Sequence, residues 1–175
     1  ISFNTSKPLE PGGYVTDYYT DEAIKVIEKN RNRPFFLYLG HFAPHNPLQS
    51  LKEDYDHFHH LQGDDQHKLR VYSGMLKSLD RGIGKILDKL ENLGISDNTL
   101  VIFSSDNGGA DYIHLSNINK PYRGWKLTHF EGGMHIPFMA KCQNKIEAGS
   151  VYDYPIHQND ILPTVAEAAG AQIPN

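Results

Sequence analysis

Hydrophobic residues along this chain fall into two kinds of run. Some recur at three- and four-residue steps. Ala23, Ile24, Val26 and Ile27 mark the buried side of a helix capped by Thr20 or Asp21 and ending near Asn30. Leu69, Tyr72, Met75, Leu76, Leu79, Ile83, Ile86, Leu87 and Leu90 form one apolar stripe on a long helix that starts near Gln66 and stops at Gly94. The other runs are continuous. Phe35 to Leu39 and Thr99 to Phe103 have the length and β-branched or aromatic content of strands buried on both faces, and Ile136 to Ala140 reads as a shorter third strand. A last helix is expected over Asp160 to Ala169, capped by Asn159, with Pro163 tolerated in its first turn and Gly170 ending it.

Between these elements the chain is polar. The opening stretch to Gly13, with Pro8 and Pro11, reads as loop, and the histidine-rich stretch from Lys52 to His67 reads as exposed. Strands alternating with helices predict an α/β fold with a mostly parallel central sheet flanked by helices. Ligands of such sheets sit beyond the carboxyl ends of the strands. Two polar clusters fall there: His41 to Asn46 after the first strand, and Asp106 with Asn107 after the second.

Composition narrows the class. With 175 residues, 39% hydrophobic and 22% charged, the chain can bury a core. A net charge of −4 gives no electrostatic case for a nucleic-acid partner, and no apolar run approaches a membrane span. The single cysteine, Cys142, excludes an internal disulfide. The chain begins at Ile1 without an initiator methionine or a signal-peptide pattern, which leads to the expectation of a piece of a longer protein.

Several residues could carry chemistry. Asp106 and Asn107 offer a carboxylate and an amide oxygen, hard ligands suited to Ca²⁺ or Mg²⁺; taken alone, Asp-Asn-Gly-Gly is also ordinary turn chemistry. His45 lies between Pro44 and Pro47 on a stiffened loop, where an imidazole can act as an acid, although it is one of ten histidines; His41 is a weaker candidate. Lys126 could hold an anion as a point charge and Arg123 could do so with a two-pronged geometry, and both also read as solvated surface charges. Trp125 reads as packing, with sugar stacking as the alternative.

Five stretches, in order, resemble the sulfatase family. They are Phe35-Phe-Leu-Tyr-Leu39 with Ala43-Pro-His-Asn-Pro-Leu-Gln49; Asp97 through Gly109; Tyr122-Arg-Gly-Trp-Lys-Leu-Thr128; Phe130 through Phe138; and Asp160-Ile-Leu-Pro-Thr164. The resemblance runs from about Tyr14 to Gly170. It implies an alkaline-phosphatase-like catalytic domain, of which residues 1–175 are the middle to C-terminal part, an incomplete single domain. It implies hydrolysis of a carbohydrate or aryl sulfate ester. It also implies roles: Asp106 and Asn107 as ligands of one Ca²⁺, His45 as the histidine that contacts sulfate and protonates the leaving alcohol, Lys126 as the lysine on a sulfate oxygen, with Arg123 and His114 as further substrate contacts. The segment from Ala110 to Lys120, with Tyr112 and His114, is where substrate choice is expected.

The family's nucleophile is a hydrated formylglycine, made by a sulfatase-maturing enzyme from a Cys or Ser in a Cys-x-Pro/Ala-x-Arg type motif. Cys142, followed by Gln143, Asn144 and Lys145, is not that motif. The expectation is that the nucleophile and the remaining calcium ligands lie upstream of Ile1, on about a hundred residues or more, and that this chain alone is inactive. The resemblance further implies a secreted, periplasmic or lysosomal protein. Two rival readings are a phosphoric or phosphonic ester hydrolase of the same superfamily and a non-catalytic module that holds sulfated glycans. Asn107, where such phosphoesterases place a histidine, leans away from zinc and from the first.

Overall fold

Helix α1 (Val15–Asn30) begins a turn earlier than its apolar pattern suggests. In this computed structural model, which describes residues 10, 12–63, 65–115 and 117–171, Thr16 and Thr20 are buried inside the helix, and the Thr20 hydroxyl donates to the Thr16 carbonyl at 3.0 Å. A threonine whose hydroxyl is satisfied within the helix need not cap it. The opening loop with Pro8 and Pro11, and the end of the chain with Pro174, lie outside the described residues.

A short helix, α2 (Lys52–His57), occupies the histidine-rich stretch expected to be exposed. That expectation fails at Asp54, which is 1% exposed. Its carboxylate accepts from Ser78 at 2.6 Å and from Arg81 at 2.7 and 2.9 Å. The long helix α3 (Gln66–Asn92) forms over its predicted range. Gly94 ends it with φ +66°, its N–H donating to Glu91 while that of Ile95 donates to Leu90, a Schellman closure.

The buried face of α3 combines Met75 and Leu90 of the apolar stripe with small residues. Gly74, Ser78 and Gly82, four residues apart, are buried, whereas Leu76 is 42% exposed. A Cβ on Gly82 would run into the Thr20 hydroxyl, and one on Gly74 into that of Ser50. Backbones approach closely here because side chains are absent. Lys89 and Glu28, 2.6 Å apart, tie α3 to α1 at the rim.

Strands β1 (Val101–Ser104) and β2 (Phe138–Lys141) pair antiparallel, with Val101 opposite Lys141 and Ser104 opposite Phe138. The mostly parallel sheet expected from the sequence is therefore not seen among the described residues. A parallel pair needs a crossover of a dozen or more residues, usually a helix, to bring the chain back. Between β1 and β2 the chain instead makes an irregular excursion with one short helix, α4 (Glu131–Met134). Residues 35–39 run extended with alternate residues exposed, but join no ladder among the described residues. Helix α5 (Ile161–Ala168) follows a 3-10 turn, Gln158–Asp160. Its entry is fixed not by Asn159 but by reciprocal bonds: Asn159 N–H donates to His157 Nδ1, and His157 N–H to Asp160. No helix among the described residues is long and apolar enough to cross a membrane.

Candidate active site

β1 ends at Ser104, and the next residues carry the expected oxygen ligands. Asp106 is exposed and Asn107 half-buried. Asn107 commits its amide nitrogen to the Gly108 carbonyl at 2.8 Å, which leaves its side-chain oxygen as the outward acceptor. Behind them, Gln158 donates its one amide nitrogen to two successive carbonyls, those of Ser105 and Asp106, each at 3.0 Å. The 3-10 turn that leads into α5 thus holds the bend that presents Asp106. A carboxylate followed by an amide oxygen suits a hard cation. Among the described residues no three His, Cys, Asp or Glu side chains gather as a metal site.

The bend is locked to the segment bearing Lys126 by backbone hydrogen bonds and one side chain. Gly108 N–H donates to Gly133 at 3.0 Å, Gly132 N–H to Arg123 at 2.7 Å, and Lys126 N–H to Gly109 at 3.0 Å. Asn119 completes the lock: its side-chain oxygen accepts from Gly109 N–H at 2.7 Å, and its nitrogen donates to the carbonyls of Gly109 and Gly124 at 2.9 and 3.0 Å. A Cβ on Gly108 would overlap the Gly132 carbonyl oxygen, one on Gly132 the Gly124 carbonyl oxygen, and one on Gly133 the Thr128 carbonyl oxygen. Gly124 also sits at φ +89°. The glycines that read as turn punctuation are the means by which two stretches of chain touch without side chains between them.

Lys126 is half-buried on this mount. Arg123 is exposed and lays its guanidinium 4.1 Å over the Phe130 ring. Trp125 is 45% exposed, so its ring is not simply core packing. His135 stacks on Tyr122 at 4.3 Å and meets Glu131 at 2.9 Å. His114 is exposed in a left-handed conformation at the end of the 3-10 turn Asp111–Ile113.

His45 stands on the loop after residues 35–39, and its Nδ1 is 2.8 Å from the Asn46 carbonyl. A carbonyl oxygen only accepts, so Nδ1 carries the proton and Nε2 is the nitrogen left to work. Nε2 faces the Tyr112 hydroxyl at 3.4 Å. His41, the weaker candidate, is enclosed instead: neither ring nitrogen finds a hydrogen-bond partner among the described residues, and burial holds its pKa below the ordinary histidine value. A neutral, enclosed imidazole is poorly placed to donate protons.

The arrangement therefore gathers Asp106, Asn107 and Lys126 on one hydrogen-bonded glycine unit and connects His45 to it through Tyr112. Gln158, Asn119 and the Tyr112–His45 contact were not readable as site features. Each links residues far apart in sequence, 52 positions in the case of Gln158 and Asp106.

Comparison with known proteins extends this. A sequence-family model described as Sulfatase matches residues 2–171. The chain is similar to N-acetylgalactosamine-6-sulfatase of Mus musculus, 36% identical over 92% of this chain and 30% of that protein. It is similar to steryl-sulfatase of Homo sapiens, 34% identical over 91% of this chain and 27% of that protein. Among solved structures it superposes with a TM-score of 0.89, at 34% identity, on Ps i-CgsB crystallised in complex with k-i-k-neocarrahexaose, covering 97% of this chain and 37% of that one. The chain thus spans less than a third of the length of these two relatives.

Proposed function

Since this chain belongs to the sulfatase family, we propose that the polypeptide containing it hydrolyses sulfate esters of carbohydrates. The observation that carries the reading is the Gly109 junction: an oxygen-ligand pair and a lysine fixed to one another by backbone hydrogen bonds. That combination suits a doubly handled oxyanion, held through a cation on one side and an ammonium on the other. The carbohydrate class is supported by the name of one relative and by the oligosaccharide bound in the superposed structure.

Asp106 Oδ and Asn107 Oδ1 would hold a Ca²⁺ together with ligands from outside this chain, and a formylglycine made from a Cys or Ser outside this chain, by a maturation enzyme, would complete the site. When bound, the ion supplies positive charge at the sulfate oxygens and the formylglycine supplies the nucleophile. Lys126 binds a sulfate oxygen as a point charge and stabilises the charge that gathers there in the transition state. As the ester bond breaks, negative charge builds on the bridging oxygen. His45 acts as the imidazolium: Nδ1–H stays on the Asn46 carbonyl while the second proton, on Nε2, passes to that oxygen, leaving a neutral Nδ1–H imidazole and letting the alcohol leave. By family resemblance the protein works outside the cytosol, secreted, periplasmic or lysosomal.

The test uses the full-length, matured protein: metal analysis, then sulfate release from a sulfated sugar and from 4-nitrophenyl sulfate, for wild type and His45→Ala. We expect calcium at one ion per chain and a loss in His45→Ala that is far larger on the sugar, because a phenol leaves with little protonation. Zinc without calcium, with no sulfate release but hydrolysis of 4-nitrophenyl phosphate assayed in parallel, would transfer the reading to a phosphoesterase. Tight binding of sulfated glycan without hydrolysis would make it a binding module.

A further inference from the structure

The phenol of Tyr112 occupies the approach to the working nitrogen of His45. Nδ1 is committed to the Asn46 carbonyl at 2.8 Å, so a proton delivered from this ring leaves from Nε2. The Tyr112 hydroxyl stands 3.4 Å from that atom, with ring centroids 6.4 Å apart and planes at 60°. A leaving-group oxygen taking the proton must come within about 2.7–2.9 Å of the same nitrogen, close to its N–H direction. It therefore arrives beside the phenol hydroxyl, and the groups attached to it come with it.

The phenol is rigidly mounted. Tyr112 sits at the middle of the 3-10 turn Asp111–Ile113, between Ala110 and Ile113, which are 8% and 6% exposed. The turn is closed by His114 N–H on the Asp111 carbonyl at 2.7 Å. Its N-terminal root, Gly109, is clamped by Asn119. Tyr112 is 43% exposed, so the residue remains reachable by a ligand while its backbone is held. A phenol offers an apolar face and a tip that both donates and accepts, which matches a sugar ring carrying hydroxyls.

Resting on the reading of His45 given above, we propose that Tyr112 is a specificity-determining residue. It contacts the alcohol side of the substrate, and its hydroxyl hydrogen-bonds a sugar hydroxyl beside the sulfate-ester oxygen. A simple aryl leaving group has no such hydroxyl to offer.

The test compares full-length wild type, Tyr112→Phe and His45→Ala on 4-nitrophenyl sulfate and on the best substrate among galactose 2-, 4- and 6-sulfates. Tyr112→Phe removes one oxygen and keeps the ring, and a thermal melt checks its fold. The expected result is a shift of about tenfold, against the sugar, in the ratio of kcat/KM for sugar to aryl sulfate, the size of one lost hydrogen bond. An equal loss on both substrates, or no loss, overturns the inference while leaving the sulfatase reading intact. A wild type that cleaves only the aryl sulfate also overturns it. A wild type that releases sulfate from neither substrate brings down the reading and the inference together. An equal loss in His45→Ala on both substrates removes the proton-donor role on which the inference rests.

Discussion

Lys126 and Gly109 are joined main chain to main chain, the lysine N–H donating to the glycine carbonyl at 3.0 Å. The mount of Lys126 is thus independent of its side chain, and Lys126→Ala removes the ammonium without loosening the loop. Sulfate-ester hydrolysis by the full-length enzyme should fall at least about tenfold, since losing a donor to developing charge can cost ~2.7–4 kcal/mol. Lys120→Ala, at an exposed position in the same excursion, should do little. Equal kinetics for wild type and Lys126→Ala would remove Lys126 from the site.

Gln158 bonds to main-chain carbonyls and touches no predicted ligand side chain. Its loss should free the bend at Asp106 rather than delete a donor. In the full-length protein Gln158→Ala should weaken Ca²⁺ binding by about tenfold, as loss of an outer-shell partner commonly does. Calorimetric titration of calcium into the metal-stripped protein measures it; unchanged affinity would show that the bend holds without the clamp.

Gly108 and Gly84 give opposite expectations for the same substitution. An alanine at Gly108 meets the Gly132 carbonyl oxygen, backbone that cannot rotate away. Gly108→Ala should destabilise the protein by about 1–3 kcal/mol, the usual range for overpacking. Gly84, inside α3, has nothing within 4 Å of an added Cβ, so Gly84→Ala should stabilise by about 0.5–1 kcal/mol through helix propensity. Denaturant unfolding of both variants decides.

Asp54 makes stability depend on acid. Burial pushes its carboxyl pKa up, but hydrogen bonds from Arg81 and Ser78 outweigh burial and hold it below the usual value. A depressed carboxylate contributes stability that is full above its unfolded pKa, about 3.9, and is lost as pH falls through the folded value. Asp54→Asn should cost about 3 kcal/mol at pH 7, the low end for a broken buried pair, because the Arg81 side chain keeps 31% exposure. Unfolding curves of wild type and variant should converge once pH falls below the folded-state pKa of Asp54, since the variant lacks the titrating group. A gap that stays constant with pH would assign the effect to packing.

Elements with a strong period were legible. α3 matched because its apolar stripe is long and Gly94 closes it, and the end of β1 before Asp106 was visible as an apolar run breaking into a polar loop; residues 35–39, read the same way, lead to His45 without joining a ladder among the described residues. α2 was not legible, because Lys52 to His57 holds almost no apolar residue and is kept by one buried carboxylate. The small residues in the buried face of α3 were hidden because Gly74, Ser78 and Gly82 look like spacers. Within the site, residue types and motif order pointed to Asp106, Asn107, Lys126 and His45. The clamps by Asn119 and Gln158 were not visible, since a neutral amide bonding distant backbone leaves no local pattern.

Residues 34–41 lead from the turn after α1 to the loop bearing His45. They run extended with Phe36 and Tyr38 exposed at 73% and 84%, and no backbone hydrogen bond joins them to another described segment. Such a ribbon accepts any strand of matching pattern, from its own polypeptide or from a neighbour's. Immediately beyond it stands His45. Whatever lies alongside the ribbon sets where its far end points, so recruiting a companion strand and aiming the imidazole become a single event.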